Sequence, residues 1–215
     1  MKSKKNNKQR EEILDKYLDR VLKKHKRPKA IHKFCEKNNI DQDVFHTYFS
    51  SFEDIEHLFW TTVTNSTLSL IDGDLKSDQP VEHKLLNFYY TLFENFNMHK
   101  RAILIFLERT KTNPFPEKEL RKQIIPIIKT IAKDIKCILP PPLSKGSSLV
   151  YSELMWFQFL SVLKFWTNDK SHESEKTDIF IEKSIKLAFE VHHSFPTETI
   201  MDYGKFLYKE IKPNL

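Results

Sequence analysis

The stretch KFCEKNNIDQDVFHTYFSSFEDI, residues 33–55, decides the fold. Its apolar residues fall at helical spacing in short runs, and each run is bounded by residues that end or start helices. Ile31, Phe34 and Cys35 share one face of a short helix. Asn38-Asn39 stops it, because asparagine tolerates the left-handed backbone of a helix end better than other residues with a side chain. Asp41 can cap a second short helix, QDVFHTYF, by accepting the first unpaired backbone N–H groups. Ser51, with Asp54 three residues on, has the form of a capping box and opens a longer helix carrying Ile55, Leu58, Phe59 and Val63. Two short helices across a tight turn form the helix-turn-helix unit, whose second helix enters the major groove of DNA. Phe34, Val44, Phe45 and Phe49 supply the apolar groups that would hold it together.

Working outward, residues 9–24 place Ile13, Leu14, Tyr17, Leu18, Val21 and Leu22 at three- and four-residue spacing. The cluster KKHKRP closes this helix with cations at its negative end, and Pro28 fits a first helical position. Downstream, DGDLKSDQP (72–80) reads as a boundary. Beyond it the periodicity predicts helices near 81–98, 99–111, 117–138 with a kink at Pro126, 147–169, 175–193 and 197–211, separated by NPFP, PPP and NDKSHESE. The expected fold is all-α: a helix-turn-helix domain over 1–58 and a helical domain over 59–215.

Composition excludes several classes. The three glycines, Gly73, Gly146 and Gly204, are too few and too scattered for a phosphate-cradling loop, so P-loop and dinucleotide-binding folds are out. Cys35 and Cys137 make no disulfide framework, and the N-terminal KSKKNNKQR has no apolar signal segment, which predicts a cytoplasmic chain. Residues 149–166 form the most apolar run, but Glu153, Gln158 and Lys164 interrupt it, so no membrane insertion is expected. GxSxG, HExxH and CxxC are absent, and His192-His193 point to different sides of a helix. Neither an enzyme, a metal site nor a cofactor is expected.

The net charge of +6 is unevenly placed. Residues 1–33 carry 13 Lys/Arg against 4 acids, whereas residues 34–60 carry Lys37 against 6 acids. A basic arm next to an acidic segment suits a polyanion held from its flanks.

The segment quoted at the outset resembles the N-terminal domain of TetR-family transcriptional regulators. Phe34-Cys35 occupy the places of the family's Ile-Ala, Asn39-Ile40-Asp41 those of its Gly-Val-Ser turn, and Phe49 that of its Phe. Ser51, Glu53, Asp54 and Ile55 match the start of the fourth helix. The resemblance implies a ligand-responsive, DNA-binding repressor that acts as a homodimer on double-stranded DNA. The chain departs from the pattern at four places. His46 stands for a phosphate-contacting Tyr and Tyr48 for a His; Phe52 replaces a Lys; Asp43 replaces a Gly. With no Lys or Arg over 42–52, phosphate contacts fall to the flanks, Lys2, Lys4, Lys5, Lys24, Arg27 and Lys29. Base reading falls to Gln42, His46 and Thr47, with Asp43 and Tyr48 on the same interface.

The chain holds 17 Phe, 7 Tyr and 3 Trp, spread along its whole length with dense runs near 88–96 and 156–166. Phe88, Tyr89, Phe93, Phe106, Trp156 and Phe159 are candidates to line a site for a small apolar or aromatic effector. The 147–169 helix is apolar nearly all round, and 175–193 carries an Ile181, Ile185, Ala188, His192 stripe. Both features predict a homodimer through residues 147–193. The alternative is a TetR-fold lipid or small-molecule binding protein that has lost operator binding.

Overall fold

The computed structural model describes the backbone of residues 2–108, 115–134 and 144–194 and the side chains of residues 8–108, 117–133 and 153–190. Within them lie nine α-helices and no strand: α1 Lys2–Lys24, α2 Ile31–Lys37, α3 Gln42–Tyr48, α4 Phe52–Lys76, α5 Val81–Met98, α6 Lys100–Glu108, α7 Phe115–Ile131, α8 Ser144–Asn168 and α9 Glu175–Ser194. The expected helix at 197–211, Cys137 and the side chains of Lys2, Lys4, Lys5, His192 and His193 lie outside the described residues. No described helix is long and apolar enough to cross a membrane.

Local chemistry explains the element ends. Asn39 has φ +51°, the left-handed conformation required between α2 and α3. The Asp41 carboxylate accepts from the backbone N–H groups of Asp43 (2.7 Å) and Val44 (3.4 Å), capping α3. At α4 the capping box is reciprocal: Asp54 N donates to Ser51 Oγ at 3.3 Å, and Ser51 N donates to Asp54 Oδ2 at 2.9 Å. Several boundaries differ from the sequence reading: α1 begins at Lys2 rather than near residue 9, and α7 spans Phe115–Ile131, giving way to a 3-10 turn at Ala132–Asp134, rather than 117–138. Pro28 lies in the α1–α2 connection rather than in a first turn; α2 starts at Ile31, where Phe34 N donates to the carbonyl of the extended cap residue Ala30. Helix α4 runs through Gly73 to Lys76, so the break narrows to 77–80. A single exposed glycine costs a helix only about 1 kcal/mol, too little to end one packed along its length.

The chain divides into two compact units, one of residues 1–72 and 91–124, the other of 73–90 and 125–215. The core of the first is aromatic. Phe106 packs against Phe59 (5.4 Å between ring centroids) and Trp60 (6.2 Å), and Trp60 meets Phe96 edge-on. Polar crosslinks fix the register: Asn95 Nδ2 donates to Thr67 Oγ1 at 2.8 Å, Gln123 Nε2 to Thr61 Oγ1 at 3.1 Å, and His57 Nδ1 lies 2.5 Å from the buried Glu119 carboxylate.

In the second unit α8 and α9 form an antiparallel hairpin. Asp169 builds its corner: Oδ1 accepts from the N–H and hydroxyl of Ser171, and Oδ2 accepts from the N–H and hydroxyl of Thr177. Partial burial pushes the Asp169 carboxyl up, but these four donors together outweigh it and hold the pKa down at about 2. Glu173 and Ser174 take left-handed backbone inside the turn. Along the hairpin Gln158 Nε2 donates to Ser184 Oγ at 3.0 Å, and Phe165 stacks on Phe180. The Ile181/Ile185 stripe expected to face a partner instead faces this unit's own core, both residues being buried. The period of α9 places Ile179 and Leu187 outside, where they are exposed together with Leu154 and Phe157 of α8. A helix with two apolar stripes gives no sequence signal as to which one the chain itself covers.

Candidate nucleic-acid interface

Helices α2 and α3 meet over the rings that the sequence singled out. Phe34 packs edge-on to Phe45 (6.3 Å) and Phe52 (5.7 Å), and Phe45 edge-on to Phe52 and at a tilt to Phe49. Phe34, Phe45 and Phe49 are buried, with Val44 half-buried. Phe52, where the family pattern has a lysine, is part of this core and stacks on Tyr17 at 5.5 Å. With Phe45 turned inward, the other side of α3 presents Gln42, Asp43, His46 and Thr47 to solvent.

A groove of about 550 Å³ opens beside them, lined by Arg27, Pro28, Lys29, Ile31, His32, Gln42, His46, Ser51, Phe52 and Glu53. Lys24 and Lys29 are exposed. The sequence-derived candidates Arg27, Lys29, Gln42 and His46 thus meet on one surface. Two others have local tasks as well. The Thr47 hydroxyl donates to the Asp43 carbonyl at 2.8 Å, and the half-buried Tyr48 donates to Gln9 Oε1 at 2.8 Å, tying the end of α3 to α1.

Arg27 is the residue that sequence reasoning placed incompletely. Its Nη1 donates to Glu53, its Nε lies 3.7 Å from Glu56 Oε1, and its guanidinium lies over the Phe52 ring at 5.5 Å. Tyr17 donates to the buried Glu56 at 2.5 Å. Desolvation alone would lower the Arg27 pKa, but the bond to Glu53 and the charge of Glu56 raise it above the ordinary value, so it stays cationic. Reciprocally, the bond from Arg27 holds the Glu53 carboxyl below its usual range against the opposing effect of burial. Arg27 Nη2 is buried without a hydrogen-bond partner among the described residues. The only sequence trace of this network is the spacing of Glu53 and Glu56, one turn apart at the start of α4.

The six effector candidates are all buried and fall into two clusters. In the second unit Tyr89 meets Phe88 and Phe159 edge-on, and Phe159 stacks on Trp156 at 5.4 Å. Tyr89 also donates its hydroxyl to Gln158. Phe93 and Phe106 belong to the first unit, against Phe96 and against Phe59, Trp60 and Tyr17 respectively. Among the described residues no group of three or more His, Cys, Asp or Glu gathers as a metal site.

Two short capped helices across a turn near the start and a helical hairpin towards the end, with no strand among the described residues, give the chain the plan of an all-α regulatory protein. Residues 84–207 match the family model described as the tetracyclin repressor-like, C-terminal domain. The chain therefore belongs to the TetR-like family of regulators. No curated protein matches it significantly.

Proposed function

We propose that this TetR-family regulator binds duplex DNA through α2 and α3 as a homodimer and releases or retains it according to a small apolar or aromatic effector. The observation that carries the reading is the groove between the α1–α2 corner and α3, where Arg27 and Lys29 flank the exposed Gln42 and His46. Cations at the rim and amide or imidazole groups on the helix divide the work into phosphate contact and base reading. Residues 1–58 would act as the DNA-binding domain and 59–215 as the effector-binding and dimerisation domain, with repression as the direct mode of action.

The exposed apolar face of the α8–α9 hairpin supports the dimer. Leu154, Phe157, Ile179 and Leu187 lie on its outer side, and a hairpin from each of two chains makes an isologous four-helix contact. The effector would contact the aromatic interior, with Phe88, Tyr89, Trp156 and Phe159 as one group and Phe93 and Phe106 as another. A second reading, a lipid or small-molecule binding module without operator binding, is favoured by one observation: α3 carries Asp43 and no Lys or Arg.

Titration of DNA fragments flanking the coding region, at several salt concentrations, separates the two. Operator binding requires a sequence-specific complex whose affinity falls steeply with salt. Uniform, weak binding to all fragments would leave the binding module as the better description.

A further inference from the structure

The corner of the α8–α9 hairpin carries a second groove, of about 850 Å³, that the DNA-binding reading does not use. It is lined by Leu160, Phe165 and Phe180, by Lys164, Lys170 and Lys176, and by the polar groups of Ser161, Asn168, Asp169 and Ser171. Its volume lies within the range of small-molecule sites, roughly 300–1,000 Å³. We propose that it binds a small amphipathic anion: a flat apolar or aromatic body bearing one carboxylate, sulfonate or phosphate group.

Two features specify that chemistry. First, Phe165 and Phe180 are already stacked face to face, with ring centroids 4.6 Å apart and planes within 8°, and Phe165 reaches the surface. A preformed, partly exposed ring pair offers a flat apolar body a contact surface at little cost in side-chain ordering. Second, the polar groups are sorted. The Ser161 hydroxyl donates to the Phe157 carbonyl, the Asn168 amide to the Lys164 carbonyl, and the Ser171 hydroxyl to Asp169. Asp169 lines the groove as a carboxylate, but each of its oxygens already accepts two hydrogen bonds. The exposed lysine ammonium groups are left to meet a ligand, three cations against that one anion. Glu173 and Glu175 stand near the corner but do not line the groove. Lysine recognises an anion as a point charge without demanding bidentate geometry, so the charged group is specified by sign and the body by flatness.

This inference does not depend on DNA binding, but it concerns the same outer side of the hairpin as the proposed dimer contact, so the experiment tests both. Isothermal titration of the full chain with 2-naphthoate and with the neutral 2-naphthalenemethanol should give about tenfold tighter binding of the anion. Its affinity alone should fall with added salt. The Lys164→Gln/Lys176→Gln variant should lose most of that preference while keeping its affinity for the alcohol. Equal binding of the two compounds, or a preference unchanged in the lysine variant, overturns the proposal. So does naphthoate binding that appears only in a monomeric Phe157→Lys variant, because the groove would then be dimer surface. Sedimentation of the wild-type chain reads the dimer separately.

Discussion

Arg27 sits where two demands meet, since the cation that could approach a phosphate also holds two acids of α4. Replacing it with Ala should cost about 2–3 kcal/mol of stability, because the buried Glu56 carboxylate loses the cation 3.7 Å away. Chemical denaturation measures this directly. Glu53→Gln should act in the opposite sense on DNA: it weakens the hold on Nη1 and removes an acid from the groove. Affinity for all fragments should rise and the salt slope steepen by about one counterion. An unchanged slope would mean that Arg27 never reaches phosphate. The pair also has a pH signature. Glu53 is held below the ordinary carboxyl value, so its contribution is complete above about pH 4.5 and is lost as pH falls through the depressed folded value. Arg27 stays charged throughout that window. At this scale the sequence was legible wherever a residue acts on its own neighbourhood. Asp41 as a cap, Asn39 in the left-handed region and Ser51 with Asp54 all follow from chemistry within three residues. The Tyr17–Glu56–Arg27–Glu53 network joins residues up to 39 positions apart, and no local pattern encodes that.

Helix ends were legible for the same reason, and helix continuity less so. Gly73 read as part of a break, yet α4 carries it, exposed, within a helical turn. A Cβ built at Gly73 meets nothing within 4 Å. Gly73→Ala should therefore stabilise the protein by about 0.5–1 kcal/mol, through helix propensity alone. A thermal melt showing no gain would indicate that α4 frays before residue 73. At the hairpin corner the expected effect is a loss. Asp169→Ala removes the acceptor of four hydrogen bonds and should cost about 1–2 kcal/mol. Because the folded Asp169 carboxyl titrates at about 2, the wild-type contribution is present above about pH 4 and disappears as pH falls towards that value. The difference between variant and wild type should shrink over the same interval.

For the whole molecule, the all-α class followed from glycine scarcity and the 3.6-residue periodicity, and the family follows from the match over 84–207. Which apolar face the chain itself covers was not legible, because Ile185 and Leu187 are equally apolar as letters. Their burial separates them: Ile185 is 1% exposed and Leu187 59%. Phe157, 62% exposed, belongs with Leu187. Phe157→Lys and Leu187→Lys should give folded monomers by sedimentation, whereas Ile185→Lys should unfold the hairpin, losing helical signal by circular dichroism. If Phe157→Lys leaves a dimer intact, the outer hairpin face is not the interface. The burial of the six aromatic effector candidates was legible, because aromatic residues at helical spacing declare burial. Their division into two clusters depends on where helices cross.

Cys35 in α2 carries one more consequence. Its side chain is 2% exposed, and burial, followed by the nearby Asp41 carboxylate, raises the pKa of its thiol. A protonated, enclosed sulfur reacts with neither disulfides nor alkylating agents. Covalent labelling of Cys35 must therefore wait for the helix-turn-helix to open, and the rate of that labelling is a clock for the opening. In a Cys137→Ser background the clock has a single hand. Its rate, set against that of an unfolded chain, gives the free energy of local opening, and any molecule that clasps α2 and α3 shut will slow it, with no need to know in advance which molecule that is.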